Sequence, residues 1–93
     1  MAPDTPNRVR LYTRGWCFYC FAARRLFRRL GLDFEETRLD GRPELRREIS
    51  AQAGNWPTVP MIFVGDHFIG GYREAAALHR RGELESLCFP DGP

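Results

Sequence analysis

Two cysteines separated by two residues, Cys17 and Cys20, lie between a run with the period of a strand and a run with the period of a helix. Basic and apolar side chains alternate at the start of residues 8–13, which predicts a β-strand. Apolar side chains recur at intervals of three and four over residues 18–30, which predicts an amphipathic helix. The chain is therefore restricted to folds in which a cysteine pair stands where a strand passes into a helix.

The segments after this junction predict an α/β fold. In order, they are a strand at residues 32–39, a helix from Pro43 to just before Gly54, strands at 61–64 and 67–69, a helix at 72–81 and one or two helical turns at 83–87. The order is βαβαββα. A strand, helix and strand joined by short links form a parallel pair with a right-handed crossover, and parallel strands are covered on both faces. We therefore expect a four-stranded mixed sheet with helices on both faces.

Ninety-three residues are enough for a single domain. We assign that domain to residues 8–88. Residues 1–7 contain two prolines and are expected to form a flexible N-terminal tail, with residues 89–93 as a C-terminal tail.

Composition limits the partners and the compartment. The net charge is only +2, so the overall field is weak, and we expect neither nucleic acid nor a membrane as a partner. No stretch approaches the ~18 apolar residues of a membrane-spanning helix. Residues 1–7 lack the pattern of a secretion signal. Three cysteines, with Cys88 far from the pair, do not resemble the framework of a disulfide-stapled secreted domain. We therefore expect a protein of the reducing cytoplasm.

The two cysteines of the pair are expected to play different roles. The thiolate is the nucleophile in thiol–disulfide exchange. Cys17 would stand at the start of a helix, where free N–H groups and the helix dipole favour an anion, and Arg14 adds a positive charge nearby. Cys20 follows one helical turn later and would be less exposed. We therefore expect Cys17 to attack and Cys20 to resolve.

Two alternatives concern the remaining ligand-type residues. A CxxC pair can be half of a zinc site, but the other candidates, His67, His79 and Cys88, are far apart in sequence and form no ligand-like pair. Cys88 itself is interpreted as a buried small apolar residue, with a regulatory or dimer-forming thiol as the alternative.

Three motifs resemble those of a glutaredoxin, a family with the thioredoxin-like fold. They are the segments Tyr12–Cys20, Trp56–Pro60 and Gly70–Glu74. The resemblance covers about residues 9–87, nearly the whole chain. It implies a glutathione-dependent thiol–disulfide oxidoreductase that acts through a redox-active disulfide.

The resemblance also implies a glutathione site. Pro60 would be a cis-proline facing the cysteines, Val59 would pair through its backbone with the cysteinyl residue of the ligand, and Thr58 would lie on the same rim. Gly71, after Gly70, would let the backbone approach the γ-glutamyl end.

Further ligand contacts are implied at the following helix. Tyr72, Arg73 and Glu74 would begin a helix whose free N–H groups hold the ligand's α-carboxylate. Glu74 would contact its ammonium group, and Arg73 is a second candidate for a carboxylate.

Basic and aromatic residues complete the implied site. Arg14 and Arg47 would hold the anionic glycine end, and Tyr19 would line the groove beside Cys17. Trp56 is interpreted as a packing residue.

The resemblance implies that partners are glutathione, as co-substrate, and glutathionylated or disulfide-bonded proteins, with the chain itself a monomer. One residue departs from the common Cys-Pro-Tyr-Cys form, because Phe18 stands where proline is usual. Its N–H is one more possible donor to a Cys17 thiolate. Two alternatives remain open: a [2Fe–2S] carrier in which Cys17 is the only metal ligand from this chain, and a redoxin reduced by a flavoprotein reductase.

Overall fold

The computed structural model describes residues 8–89, and residues 1–7 and 90–93 lie outside the described part. Its elements are β1 (Val9–Thr13), α1 (Phe18–Arg29), β2 (Phe34–Arg38), α2 (Pro43–Gln52), β3 (Met61–Val64), β4 (His67–Gly70), α3 (Tyr72–Arg80) and α4 (Leu84–Cys88). The predicted tails fall largely on residues that are not described. Phe89, which the sequence assigned to the C-terminal tail, is half-buried and packs against the core.

The four strands form one mixed sheet in the order β2-β1-β3-β4. β1 pairs with β2 in parallel, with Leu11 opposite Glu36. β1 pairs with β3 in the antiparallel sense, with Leu11 opposite Ile62. β3 and β4 form an antiparallel hairpin in which Val64 lies opposite His67, so the predicted two-residue turn is confirmed. The predicted fold class is therefore confirmed.

The two faces of the sheet carry separate apolar clusters because strand side chains alternate between faces. Leu11 and Ile62 contribute to one cluster, which includes Phe27 of α1 and residues of α3 and α4. Their neighbours along the strands, Tyr12 and Met61, contribute to the other, which includes residues of α2. Helices thus cover both faces, and no helix among residues 8–89 is long and apolar enough to cross a membrane.

α1 passes along the sheet from the cysteine pair. Cys17 caps its start with an extended backbone, at φ −126° and ψ 115°. Gly31 follows its end at φ +71°, the left-handed conformation that glycine adopts without steric cost. The helix buries Cys20, Ala23 and Phe27, which are three residues of one stripe.

The last predicted turns form a helix, α4. Leu84 and Cys88 are its buried residues, and both belong to the cluster on the α1 face. Burial raises the pKa of the Cys88 thiol to about 11, with a contribution from Glu85. These observations favour the interpretation of Cys88 as a buried small apolar residue.

Two phenylalanines of α1 provide a matched test of this packing. Phe27 is fully buried, whereas Phe21 is 55% exposed. We expect Phe27→Ala to lower the free energy of unfolding by about 3–5 kcal/mol, because it leaves a cavity between α1 and the sheet. Phe21→Ala should change it by less than about 1 kcal/mol. Urea unfolding followed by circular dichroism measures both, and equal effects would contradict the assigned orientation of α1.

Candidate active site

The sulfur of Cys17 lies at the first turn of α1, where backbone donors surround it. The backbone N–H of Cys20 donates to Cys17 Sγ at 3.3 Å. The Cys17 thiol also lies 3.9 Å from the carbonyl oxygen of Val59, on the segment that leads into β3. Both cysteines of the pair are free thiols, and Cys17 is the more accessible of the two. The predicted position of Cys17 at the helix start is confirmed.

These contacts lower the pKa of Cys17. Partial burial by itself would raise the pKa of the thiol, but hydrogen bonds from the Cys20 thiol and from the N–H groups of Cys20 and Tyr19 outweigh it. The nearby positive charge of Arg14 lowers the pKa further. The N–H of Phe18 is not among these donors, so the extra donor suggested by the sequence is not the source of the effect. Cys17 is therefore the thiol that ionises first.

Cys20 has the opposite environment. Its side chain is fully buried beneath the helix start. Burial, together with its hydrogen bond to Cys17 and the charge on that sulfur, raises the pKa of Cys20 to about 12. The predicted difference in exposure between the two thiols is confirmed, and Cys20 stays protonated while Cys17 is a thiolate.

Two carboxylates from the β2 side hold the loop between β1 and α1. Asp40 accepts the N–H of Gly15 at 3.0 Å. That N–H and the Arg38 guanidinium hold the pKa of Asp40 below its usual range. Glu36 accepts the buried hydroxyl of Thr13 at 2.6 Å, just before the loop begins. These contacts leave no local signal in the sequence, because they join residues more than twenty positions apart.

A cavity of about 390 Å³ opens beside the Cys17 sulfur. Most of the residues predicted for the site lie on its wall. The predicted residues among its lining are Arg14, Cys17, Tyr19, Thr58, Val59, Pro60, Gly71, Tyr72, Arg73 and Glu74. Cys20 lies beneath the floor and Arg47 is not part of the lining.

The segment opposite Cys17 is shaped by Pro60. The Val59–Pro60 peptide bond is cis, as predicted. Thr58 is exposed at the rim, and Val59 and Pro60 are buried behind it. Trp56 lines the cavity and also packs edge-on against Phe68, with ring centroids 5.1 Å apart. Trp56 is thus a packing residue, as interpreted from the sequence, that also forms part of the wall.

The start of α3 forms the far wall. A Cβ atom on Gly71 would lie 3.3 Å from the carbonyl oxygen of Pro60, so a larger residue would fit only if the backbone moved by a few tenths of an ångström. The N–H of Gly71 donates to the Glu74 carboxylate at 2.9 Å. Glu74 therefore caps its own helix while lining the cavity. Tyr72 lies 6.3 Å from Tyr19, ring to ring, which joins this wall to α1.

The basic residue that α2 contributes to the cavity is Arg46, not the predicted Arg47. Arg46 is half-buried on the wall, and its Nη2 donates to the carbonyl of Pro57 at 3.3 Å. Arg47 is exposed and lines an adjoining hollow, which shares Arg46 and Trp56 with the cavity. Successive helical residues are rotated by about 100°, so one position decides which side chain faces the cavity. The helical period of α2 is therefore the feature of the sequence that could have indicated Arg46 as the residue facing the cavity.

The described residues contain no obvious metal centre. No group of three or more His, Cys, Asp or Glu side chains comes together within residues 8–89. The three residues considered with the pair as zinc ligands, His67, His79 and Cys88, therefore do not join it in such a group.

Comparisons with known proteins agree with this geometry. The glutaredoxin family model matches residues 9–69. A glutaredoxin of Pseudomonas aeruginosa is 46% identical over 79 residues, which are 85% of this chain and 93% of that protein. The solution structure of a glutaredoxin from Brucella melitensis is 38% identical, with a TM-score of 0.79 over 94% of each chain. The crystal structure of a buckwheat glutaredoxin–glutathione complex is 26% identical, with a TM-score of 0.83 over 92% of this chain and 80% of that one.

These similarities extend over the sheet, the cysteine pair and the cis-proline segment. They confirm the thioredoxin-like fold and the family that the sequence motifs resemble. The lowered pKa of Cys17 and the buried, protonated thiol of Cys20 suit dithiol chemistry at this pair. The chain belongs to the glutaredoxin family of thiol–disulfide oxidoreductases.

Proposed function

We propose that this protein is a glutathione-dependent oxidoreductase that reduces protein–glutathione mixed disulfides and protein disulfides. The observation that carries the proposal is the cavity beside Cys17, which combines an accessible thiol of lowered pKa with three arginines, Arg14, Arg46 and Arg73. The structure of the buckwheat glutaredoxin–glutathione complex, a relative of the same fold, supports glutathione as the ligand.

The charges of the cavity match the charges of glutathione. The tripeptide carries two carboxylates, one ammonium group and a thiol. Arg14 and Arg46 suit one carboxylate, and the first N–H groups of α3 with Arg73 suit the other. The Glu74 carboxylate suits the ammonium group. The ligand's cysteinyl residue would pair with the Val59 backbone, which brings its sulfur close to Cys17.

The proposed reaction begins with the Cys17 thiolate. It attacks the glutathione sulfur of a mixed disulfide, and the protein sulfur leaves as a thiolate that takes up a proton. A second glutathione thiolate then attacks the same glutathione sulfur, so oxidised glutathione leaves and the Cys17 thiolate is regenerated. With a protein disulfide, Cys17 first bonds to the target, and Cys20 then attacks Cys17 to form the intramolecular disulfide, which two glutathione molecules reduce.

Neither alternative has a specific observation in its favour. A shared [2Fe–2S] cluster would take Cys17 from each of two chains, with glutathione as co-ligand, and nothing in residues 8–89 favours that pairing. A redoxin reduced by a flavoprotein reductase would not need the basic cavity. We propose glutathione as the reductant and, as the sequence leads us to expect, a monomeric enzyme of the reducing cytoplasm.

Serine substitutions distinguish the two thiols. Cys17→Ser should lower reduction of both mixed disulfides and protein disulfides by about 10³-fold or more, because a hydroxyl is a far weaker nucleophile. Cys20→Ser should keep deglutathionylation within about threefold of the parent and lose reduction of protein disulfides. Steady-state assays with one substrate of each kind measure this. Equal losses in the two variants would contradict the assignment of attack to Cys17.

The hydrogen bond from the Cys20 thiol should be visible in the pH dependence of Cys17. We expect alkylation of Cys17 by iodoacetamide to rise through a pKa below the ordinary thiol value. Cys20→Ala removes a donor to the thiolate and should raise that pKa, while Cys20→Ser retains an O–H donor and should raise it less. Mass spectrometry of the alkylated protein across pH gives both values. The same pKa in the two variants would show that the side-chain donor is unimportant.

Arg46 and Arg47 form a matched pair on α2. Arg46→Gln removes the charge from the cavity and should raise the KM for glutathione about tenfold, the equivalent of ~1.4 kcal/mol. Arg47→Gln removes a charge from the neighbouring surface and should change KM by less than about twofold. Both variants are compared in glutathione titrations at constant mixed-disulfide concentration. A larger effect at Arg47 would restore the residue first predicted from the sequence.

A further inference from the structure

A second hollow, of about 420 Å³, adjoins the Cys17 sulfur. Cys17 is the one lining residue that it shares with the cavity described above. Its other walls are Trp16, Phe18, Phe21 and Arg24, and we call it the aromatic hollow. The side chain of Trp16 is fully exposed, that of Phe18 is 89% exposed and that of Phe21 is 55% exposed.

This exposure has no structural benefit for the isolated chain. Clustered apolar side chains on a surface mark sites of interaction. Trp16 also has a φ of +53°, in the left-handed region that costs a bulky residue roughly 1–3 kcal/mol. The backbone thus holds Trp16 in an unfavourable conformation that leaves its ring in solvent beside the reactive sulfur. Exposed aromatic side chains held at this conformational cost beside the Cys17 thiol indicate a surface that contacts the substrate of that thiol.

The charges around the aromatic hollow favour an apolar occupant. Among the described residues that line the aromatic hollow, Arg24 is the one with a charged side chain. The Nη1 atom of Arg24 is paired with the Glu36 carboxylate at 2.6 Å. The same carboxylate accepts the hydroxyl of Thr13, which keeps the pair in place. With the arginine engaged by β2, the remaining walls are aromatic. They suit an aliphatic or aromatic side chain better than an acidic one.

We propose that the aromatic hollow binds an apolar side chain adjacent to the reactive cysteine of a target protein while that cysteine is disulfide-bonded to Cys17. The inference rests on the proposed reduction of protein disulfides. The Cys17 thiolate attacks one target sulfur, the target's S–S bond breaks, and the other sulfur leaves as a thiolate and takes up a proton. Cys20 later attacks Cys17 Sγ, which expels the bound target thiolate and empties the hollow.

The geometry of a disulfide brings the target's neighbouring residues within reach of the hollow. The Cα atoms of bonded cysteines lie about 4.4–6.8 Å apart. Each neighbouring residue of the target is only ~3.8 Å further along its chain. The residues next to the target cysteine therefore come within reach of the residues next to Cys17, which are Trp16 and Phe18, with Phe21 one turn along α1. The hollow gives a contact on this side of Cys17 a preference for apolar side chains.

Trapped mixed disulfides test the proposal. In a Cys20→Ser protein, two single-cysteine peptides compete for Cys17, one with leucine on each side of the cysteine and one with serine. Each is supplied as its disulfide-linked dimer, so the Cys17 thiolate bonds to one peptide sulfur and the other leaves as a thiolate. We expect the leucine peptide to be favoured by about tenfold at equilibrium, from burial of part of its apolar surface. Adding Trp16→Ser, Phe18→Ser or Phe21→Ser should bring the ratio towards one. Mass spectrometry of the intact adducts measures the ratio.

Tyr19→Ser is the matched control. Tyr19 is an exposed aromatic residue beside Cys17, but it lines the glutathione cavity and not the aromatic hollow. Its substitution should leave the peptide ratio unchanged. The three hollow variants, with Cys20 present, should reduce a small glutathione mixed disulfide as the parent does, which verifies their folding and the proposed function independently.

Three results would overturn the proposal. They are equal binding of both peptides by the parent, a preference that persists in all three hollow variants, and a parent dimer in sedimentation that these substitutions dissociate. The last result would assign the hollow to a second copy of the chain. Failure of Cys17 to react with either peptide would instead overturn the proposed function, and this inference with it.

Discussion

The hydrogen bonds that the first turn of α1 directs at the Cys17 sulfur are the interaction on which the rest of the structure depends. They require a helix that begins at Cys17, and so a strand that ends a few residues earlier and a loop held between the two. The contact of Gly15 with Asp40 holds that loop from the β2 side. The sheet, by carrying β1, β2 and β3 side by side, brings the cis-proline segment to the same sulfur.

The two cysteines show how position decides the chemistry of identical side chains. Cys17 faces backbone donors, a guanidinium and solvent, so its charged form is stabilised. Cys20, one helical turn later, enters the core, where the charged form is penalised and the thiol stays protonated. A difference of three residues on a helix thus separates an attacking sulfur from a resolving one. The two hollows that meet at Cys17 extend this asymmetry outward, one basic and one aromatic.

Most of the fold could be predicted from periodicity, because buried strands and helices impose their own spacing on apolar residues. The predicted hairpin turn and the start of α1 agree with the structure, and helix ends differ by about one residue, as frayed ends do. The site was less accessible to prediction. Arg46 and Arg47 are chemically identical, and the choice between them depends on the rotation of α2 relative to the sheet. Asp40 gave no local signal, since its partner Gly15 is distant in sequence.

The sequence by itself determined the order of elements, the cysteine pair at a strand-to-helix junction and the motifs of the family. These are local properties, set by spacing and by residue type within a few turns or strands. Only the tertiary structure decided which side chains share the cavity with Cys17, which donors lower its pKa, and that Trp16 and Phe18 stand exposed beside it. Those properties arise where distant segments meet, because burial and charge act through space and not along the chain.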